Sequence, residues 1–229
     1  MKKKRRSVWS WIKRVLLFLF LWQLFYIIIL RWVDPPLTIT QLQSLFGYGL
    51  KRDYVSFGKI SRAMKLAVIA SEDQIFPDHS GFDWKSIRKA MKYNEKKPNR
   101  VRGASTISQQ VAKNVFLWQG RSWVRKAFEI YFTKMIEWIW GKRRILEVYL
   151  NVIETGRGTF GVEAASQQFY KKPALNLSRR EAAMIAAGLP NPKKYAVRPA
   201  SGYVRARANW IVQQMRVLEK DPDVRKLIQ

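Results

Sequence analysis

The chain has 229 residues, of which 48% are hydrophobic, and it carries 43 basic against 16 acidic side chains. This length accommodates one membrane segment and one globular domain, since single hydrophobic cores commonly need roughly 100 to 200 residues. The basic excess indicates an anionic partner such as nucleic acid, anionic lipid headgroups or a phosphorylated substrate. The absence of cysteine excludes disulfides and thiolate metal sites, and the single histidine, His79, excludes a multi-histidine metal centre.

The first predicted element is a membrane-spanning helix. Residues 15–30 read VLLFLFLWQLFYIIIL and contain no charged side chain. This run rises only about 24 Å against a hydrocarbon core of roughly 30 Å, but flanking tryptophans extend the span to approximately 8 to 33. A buried core helix is the alternative, although a core helix would not be apolar on every side and preceded by a basic leader.

Charge predicts the orientation of this span. Residues 1–31 contain eight basic residues and no acidic residue, which places the amino terminus in the cytoplasm and the rest of the chain outside. No small-residue cleavage pattern follows the apolar run, which argues against a removed signal peptide. The predicted organisation is a cytoplasmic basic leader at 1–14, a transmembrane helix at 15–33, a connecting segment at 34–58 and a globular domain at 59–229.

Beyond the connecting segment, apolar residues recur every three or four positions, which predicts helices nearly throughout. Pro77 is predicted to end the first helix, and Ser178 with Glu181 forms a capping box that opens a later one ending near Gly188. Few runs alternate with period two, so the sequence predicts an all-α domain without internal repeats. The polar stretch 92–102 is predicted to be a mobile loop. The predicted apolar stripes are Met64, Ala67, Val68 and Ile75; Ile107, Val111 and Val115; Phe128, Phe132, Met135 and Ile139; Ile145, Leu146 and Tyr149; and Ile211, Val212, Met215 and Leu218.

The first candidate site is the sequence SEDQIFPDH at 71–79. Glu72 and Asp73 fall in the last turn of an apolar helix, where the macrodipole disfavours negative charge. An apolar wall and a negative helix end both raise a carboxyl pKa towards that of a useful general base. Glu72 is therefore a candidate base, and an exposed helix terminus without a function is the alternative.

The second candidate site is GASTISQQVAKN at 103–114. Thr106 and Gln109 have the spacing of a capping box, so one interpretation is that the motif only begins a helix. Thr106, Gln110 and Lys113 are also spaced to share one helix face. Because a hydroxyl, an amide and an ammonium at a helix start suit a phosphate, the motif also predicts an anion site.

Two further segments carry weaker signals. Arg125 and Lys126 stand four and three residues before Glu129, so that local ion pairing is expected. A second carboxylate among cations would also complete a site for glycosyl transfer. The Gly-rich turn NVIETGRGTFG at 151–161 is either a plain loop or a place where backbone approaches a substrate.

Taken in order, these segments resemble the peptidoglycan glycosyltransferases of glycosyltransferase family 51, which include monofunctional enzymes and the first domain of bifunctional penicillin-binding proteins. The resemblance extends from about Ser56 to Leu218. Phe169 and Tyr170 stand where the family usually has Tyr then Phe, a departure that does not affect the catalytic residues. The matching segments are EDQIFPDHSGFD (72–83), GASTISQQVAKN (103–114), RKAFEIYFTKMIE (125–137), RRILEVYLN (143–151), GRGTFGVEAA (156–165) and LPNPKKYAVRP (189–199).

The resemblance implies a lysozyme-like α fold and a polymerising reaction. The growing glycan on undecaprenyl pyrophosphate would be the donor and the 4-hydroxyl of lipid II the acceptor, with inversion giving a β-1,4 link. By motif position, Glu72 would deprotonate the acceptor, Glu129 would be the second catalytic carboxylate, and Lys113 and Arg121 would hold the leaving pyrophosphate. The implied residues that bind substrate or shape the site are Asp73, Phe76, His79, Ser105, Thr106, Gln109, Gln110, Asn114, Arg125 and Lys126.

The resemblance implies no certain cofactor: members are often stimulated by a divalent cation such as Mg²⁺, but no dedicated metal site is predicted. The expected partners are lipid II, the growing glycan strand, membrane lipids and proteins of cell-wall synthesis or division, and nucleic acid is not expected. The expected location is the bacterial cytoplasmic (inner) membrane. A polyprenyl tail on the substrate would give the aromatic segment Phe116, Leu117, Trp118 and Trp123 a use at the membrane surface, with core packing as the alternative.

Three other functions are weaker explanations of the sequence. A lytic muramidase on the same fold needs a carboxylate but no cationic cradle, so that Lys113, Arg121 and Lys126 argue against it. A bifunctional penicillin-binding protein would need a transpeptidase domain, and the S-x-x-K matches at 56–59 and 86–89 are followed by no K-T-G. A membrane-tethered nucleic-acid binder would explain the charge, but its basic domain would lie on the wrong side of the membrane.

Overall fold

The computed structural model describes residues 8–97, 103–120 and 122–229. Across these residues the chain is largely helical, which confirms the prediction of an all-α domain preceded by one apolar helix. The helices are α1 Val8–Ile29, α2 Ile39–Gly47, α3 Arg62–Glu72, α4 Trp84–Lys96, α5 Ile107–Phe116, α6 Trp123–Ile139, α7 Lys142–Val152, α8 Val162–Tyr170, α9 Arg179–Gly188, α10 Gly202–Leu218 and α11 Pro222–Ile228. The short strands are β1 Lys51–Arg52, β2 Glu154–Gly156 and β3 Thr159–Phe160.

Helix α3 is the centre of the domain. It packs against α9 and α10, and its residues from Met64 to Ala70 are all buried. Helix α9 presents mainly alanines to this core, which lets the neighbouring helices approach closely because the side chains are small. Helix α5 packs on α6 and α7 to complete the core. Glu72 is the last residue of α3, so a largely buried helix holds the candidate base.

The end of α3 differs from the sequence prediction. The helix ends at Glu72 rather than at Pro77, and Ile75, which was predicted on its buried stripe, lies beyond it and is exposed. The chain leaves the helix at Asp73, whose φ is −162° and ψ is 79°. Asp73 makes hydrogen bonds to Ile107 and His79, so tertiary contacts end the helix before proline can.

The connecting segment contains helix α2 and strand β1, elements that sequence patterns left unassigned. Strand β1 pairs in parallel with β3, which pairs antiparallel with β2. The Gly-rich turn at 151–161 therefore contains a β-hairpin beside the end of α2. Gly158 has a φ of +69°, and a Cβ there would lie 2.7 Å from the carbonyl oxygen of Tyr48, so only glycine fits this contact.

Helix α1 is long and apolar enough to cross a membrane, and its first four turns are largely exposed. It begins at Val8 and ends at Ile29, within the predicted span of approximately 8 to 33. Its carboxyl end is fixed to the domain, because Trp140 donates a hydrogen bond to the Ile27 carbonyl oxygen at 2.8 Å and Tyr131 donates to Gln23 at 2.9 Å. These two hydrogen bonds therefore fix the position at which the apolar helix joins the domain.

Two local predictions are wrong. The polar stretch 92–102 is not a loop at its start, because α4 continues as far as Lys96. Asp83 caps the other end of this helix by accepting a hydrogen bond from the Ser86 amide at 2.9 Å. Residues 98–102 lie outside the described part of the chain. Phe128 is exposed rather than part of the buried stripe of α6. The buried face of that helix carries Glu129, Phe132, Thr133 and Ile136 instead.

Candidate active site

A polar cleft of about 1310 Å³ lies at the carboxyl end of α3. Its walls come from α2, the start of α4, the first turns of α5, the segment at 152–160 and the segment at 189–193. The structure brings together in this lining several residues from the first two candidate sites. These are Glu72, Asp73, Ser105, Thr106, Gln110, Lys113 and Asn114.

Glu72 faces the cleft with mostly neutral hydrogen-bond donors around it. Its Oε2 accepts a hydrogen bond from Gln110 Nε2 at 3.0 Å, and its Oε1 accepts one from Ser71 Oγ at 3.4 Å. Burial raises the pKa of Glu72 above its ordinary value, and the charge of Asp73 adds to this effect. The Gln110 hydrogen bond and the Arg207 charge oppose it. A carboxylate in such surroundings is suited to accept a proton.

Tyr149 holds Gln110 in place from inside the core. Its fully buried hydroxyl donates to Gln110 Oε1 at 3.3 Å. Burial raises the pKa of Tyr149 well above its usual range, so the hydroxyl keeps its proton. Because an ionised Glu72 only accepts hydrogen bonds, the amide nitrogen of Gln110 must face it and the amide oxygen must face Tyr149. We call Ser71, Glu72, Gln110 and Tyr149 the base wall.

Asp73 joins the end of α3 to the start of α5. Its Oδ2 accepts hydrogen bonds from the Ile107 amide at 3.0 Å and from His79 Nε2 at 3.0 Å. The Gly81 amide donates to His79 Nδ1 at 3.0 Å, which leaves the imidazole proton on Nε2. The two donors to the Asp73 carboxylate, His79 and the Ile107 amide, therefore hold it in place. These contacts fix the first candidate site against the second.

Some of the implied site residues lie behind the cleft wall rather than in its lining. The capping box of Thr106 and Gln109 is present, with Gln109 Oε1 accepting from the Thr106 amide at 3.1 Å. Gln109 is buried and does not line the cleft, whereas Thr106 caps the helix and is also part of the lining. Phe76 is fully buried and has the Lys142 ammonium 4.5 Å from its ring centroid. Among the described residues, Phe76, His79 and Gln109 thus support the cleft from behind.

The ion pairs expected around Glu129 are present. Arg125 donates to Glu129 Oε2 at 2.8 Å and Lys126 donates to Oε1 at 2.5 Å, while Glu129 itself is buried. Lys113 faces this group from α5: burial lowers its pKa, the Glu129 charge opposes that effect, and the Arg125 and Lys126 charges add to it. We call Lys113, Arg125, Lys126 and Glu129 the cation cluster. Arg121 lies outside the described residues.

Six charged residues of the lining were not predicted from the sequence, among them Asp83, which caps the start of α4. Lys85 and Lys89 come from α4, Glu154 from β2, Lys193 from the 189–193 segment and Arg207 from α10. Lys193 Nζ lies 3.8 Å from Glu154 Oε2, and burial raises the Glu154 pKa. Charged residues in surface helices and loops are common, so no sequence signal indicates which of them face a cleft.

No metal-binding group was found in the described parts of the chain. Within 8–97, 103–120 and 122–229, no cluster of three or more His, Cys, Asp or Glu side chains could hold a metal ion. Two acidic side chains of the candidate sites illustrate the reason. Asp73 is committed to His79 and Ile107, and Glu129 to Arg125 and Lys126. These residues do not fit a dedicated divalent-cation site.

The aromatic segment Phe116, Leu117, Trp118 and Trp123 divides into two parts. Phe116 stacks on Phe132 with ring centroids 4.7 Å apart, and Leu117 is buried, as core packing would require. Trp118 and Trp123 are exposed, Trp123 to 91%. Of the four residues of this segment, only the two tryptophans are therefore available for a membrane surface.

Comparison with known proteins identifies the family. A sequence profile of the family described as Transglycosylase matches residues 39–216. The chain is similar to proteins named biosynthetic peptidoglycan transglycosylase from Shigella boydii serotype 4 (strain Sb227), Escherichia coli O139:H28 (strain E24377A / ETEC) and Escherichia coli (strain K12). Each is 57% identical over 181 residues, which is 79% of this chain and 75% of the relative. The chain therefore belongs to the transglycosylase family, together with these biosynthetic peptidoglycan transglycosylases.

Proposed function

We propose that this transglycosylase polymerises lipid II into β-1,4 glycan strands with Glu72 as the general base. The 4-hydroxyl oxygen of the acceptor lipid II attacks the anomeric carbon of the growing strand. The bond between that carbon and undecaprenyl pyrophosphate breaks, and the pyrophosphate leaves with the bonding electron pair. The hydroxyl proton passes to Glu72. Because attack and departure occur on opposite faces, the anomeric carbon inverts.

The position and surroundings of Glu72 carry this proposal. A general base must be ionised before the reaction and must gain a proton during it. Burial raises the Glu72 pKa, and the neutral Gln110 amide orients the carboxylate without the strong stabilisation that a cation in direct contact would give. Glu72 lies at the cleft surface, where an acceptor hydroxyl can reach it.

The leaving group requires positive charge. A pyrophosphate departs as an anion, so cations fixed in advance stabilise the transition state more than a proton donor would. Lys113 lies in the cleft lining, and Arg125 and Lys126 are held in position by Glu129. We assign the pyrophosphate to Lys113 and Arg121, with Glu129 organising the cations. Thr106 and Gln110 complete the polar wall on the same helix face.

We also propose that α1 anchors the enzyme in the bacterial cytoplasmic membrane, with the leader inside and the catalytic domain outside. The support is the apolar, exposed surface of α1 and the basic residues that precede it. A reporter fused after Gln229 should be active only outside the cytoplasm. A reporter that is active only in the cytoplasm would contradict this topology.

The test of the proposed function is glycan-chain synthesis from labelled lipid II by the purified full chain. The expected products are elongated glycan strands and free undecaprenyl pyrophosphate. The same protein should release no sugar from mature cell wall. Release of sugar without polymerisation would favour the lytic muramidase, which is the nearest alternative on this fold.

A further inference from the structure

Helix α2 has its polar and apolar faces arranged in the opposite way from a surface helix of a water-soluble domain. Its buried residues are polar, namely Gln41 and Ser44. Its large apolar residues are exposed, and Phe46 reaches 86% exposure. A water-soluble domain would bury that face. The exposed residues are Ile39, Leu42, Leu45 and Phe46.

This arrangement is held by specific contacts. Thr38 and Gln41 form a capping box at the start of the helix, and Arg52 donates to Gln41 Oε1 at 3.1 Å. Ser44 Oγ donates to the Gly49 carbonyl oxygen at 2.9 Å. With both ends fixed, α2 cannot rotate its apolar residues inwards without losing these hydrogen bonds.

The polar face of α2 belongs to the catalytic cleft. Thr40, Gln43, Ser44 and Gly47 are part of the cleft lining. Thr40 also accepts a hydrogen bond from Gln119 Nε2 at 2.6 Å, which connects α2 to the segment that follows α5. One helix therefore presents hydroxyl and amide groups to the site and apolar groups to the opposite side.

The apolar face of α2 is continuous with the end of the membrane helix. Residues 30–38 separate α1 from α2, and Trp32, Val33 and Leu37 in this short connection are exposed. Arg144 fixes the connection by an ion pair to Asp34 at 3.0 Å. Helix α2 itself contains no charged residue. An uncharged amphipathic helix directly after a membrane span fits the lipid interface.

We propose that α2 lies in the outer lipid interface, with Ile39, Leu42, Leu45 and Phe46 inserted among the lipids and its polar face forming the membrane-side wall of the cleft. This rests on the proposed membrane anchoring of α1. The cleft then opens at the membrane surface. A lipid-linked sugar pyrophosphate can occupy it while its polyprenyl tail stays in the bilayer.

The depth of α2 can be measured directly, because the chain contains no cysteine and one introduced cysteine takes a single spin label. Labels are placed by Phe46→Cys, by Leu19→Cys in α1 and by Val217→Cys, a control residue on α10 that is 66% exposed. The full chain is reconstituted in vesicles of phosphatidylethanolamine and phosphatidylglycerol. Collisions are measured with oxygen, which concentrates in lipid, and with a water-soluble nickel complex.

The labels at Phe46 and Leu19 should collide with oxygen and be protected from nickel, and the label at Val217 should show the reverse. A Phe46 label as open to nickel as Val217, with Leu19 in lipid, overturns the α2 proposal alone. Protection of Phe46 from both reagents would mean a protein partner or second copy there and also overturns it. A Leu19 label in water overturns the anchoring of α1, and the α2 proposal with it.

A second experiment asks whether the α2 interface serves catalysis. The double variant Leu42→Gln, Phe46→Gln should lower polymerisation of vesicle-embedded lipid II by about tenfold, since interfacial binding scales with the inserted apolar area. The rate with detergent-solubilised substrate should stay near that of the unmodified protein, and Val217→Gln should change neither rate. Equal losses in vesicles and detergent would mean a damaged cleft wall and contradict the membrane role.

Discussion

The base wall and the cation cluster contain one glutamate each, and the two glutamates have opposite surroundings. Glu72 receives hydrogen bonds from a neutral amide and a neutral hydroxyl. Glu129 receives them from Arg125 and Lys126, both charged. Glu72 lies in the cleft lining, whereas Glu129 is buried behind it.

In the proposed mechanism, this difference lets one residue type serve two roles in a single site. Neutral donors position a carboxylate and leave the cost of burying its charge largely uncompensated, so that it gains a proton readily. Direct cationic partners form strong hydrogen bonds to a carboxylate and become ordered themselves. The proposed roles use this difference: Glu72 would change its protonation state, and Glu129 would keep two cations in place.

Replacing the base should have the largest effect. We expect Glu72→Gln to lower polymerisation by about 10²–10⁴-fold, because the amide fills the same space and cannot accept the proton. Lipid II binding, measured separately, should be unchanged. Glu219→Gln is the matched control, since Glu219 pairs with Arg179 on the surface outside the cleft. Near-normal polymerisation by Glu72→Gln would make Glu129 the first candidate for the base.

Replacing the second glutamate should affect substrate binding more than proton transfer. In Glu129→Gln the two cations lose their carboxylate, and we expect the KM for the lipid-linked donor to rise by about tenfold or more. A small residual rate should remain. Glu137→Gln is the control, because Glu137 is a partly buried acid on the same helix that pairs with Lys142 at 2.7 Å. If both variants raise KM equally, general destabilisation explains the result.

Much of the helical framework could be predicted from the sequence. The capping boxes at Thr106 and Ser178 and the apolar helix near the amino terminus follow from local patterns, and the structure contains all three. The end of α3 could not be predicted in this way, because Asp73 is drawn out of the helix by residues 6 and 34 positions away along the chain. Helix α2 was not predicted, because its apolar residues are exposed and its buried residues are polar, the reverse of the pattern used to recognise a surface helix.

In the site, too, local sequence patterns predict some features, whereas others depend on tertiary contacts. The shared helix face of Thr106, Gln110 and Lys113 was predictable from spacing, and the three residues lie together in the lining. The Gln110 contact with Tyr149 was not predictable, because Tyr149 belongs to an ordinary apolar stripe of α7 and its hydroxyl partner lies 39 residues away. Spacing identifies residues on one helix, whereas contacts between helices require the fold.

The pH dependence of the unmodified enzyme distinguishes the two glutamates further. The base must be ionised, so activity should fall up to about tenfold per pH unit below the Glu72 pKa. Because burial raises this pKa, the midpoint of the loss should lie above the ordinary carboxyl value of 4.5. Glu129→Gln should keep this midpoint, and the residual activity of Glu72→Gln should lose it. A midpoint at or below 4.5, measured by initial rates in overlapping buffers, would contradict the assignment.

The smallest expected effect tests whether the base wall acts as a unit. Tyr149→Phe removes one buried oxygen and keeps the packing of the ring, so Gln110 loses the partner that fixes its amide. A neutral hydrogen bond contributes about 0.5–1.5 kcal/mol, which corresponds to a rate lower by about two- to tenfold. Since Gln110 then donates less reliably to the ionised Glu72, the Glu72 pKa should rise and the acidic midpoint should move to higher pH. Tyr131→Phe also removes a tyrosine hydrogen bond, but one between α6 and α1, and it should leave the midpoint in place. A slower Tyr149→Phe enzyme with an unmoved midpoint would mean that the hydroxyl supports only the packing of α7, and that Gln110 orients Glu72 without help from the core.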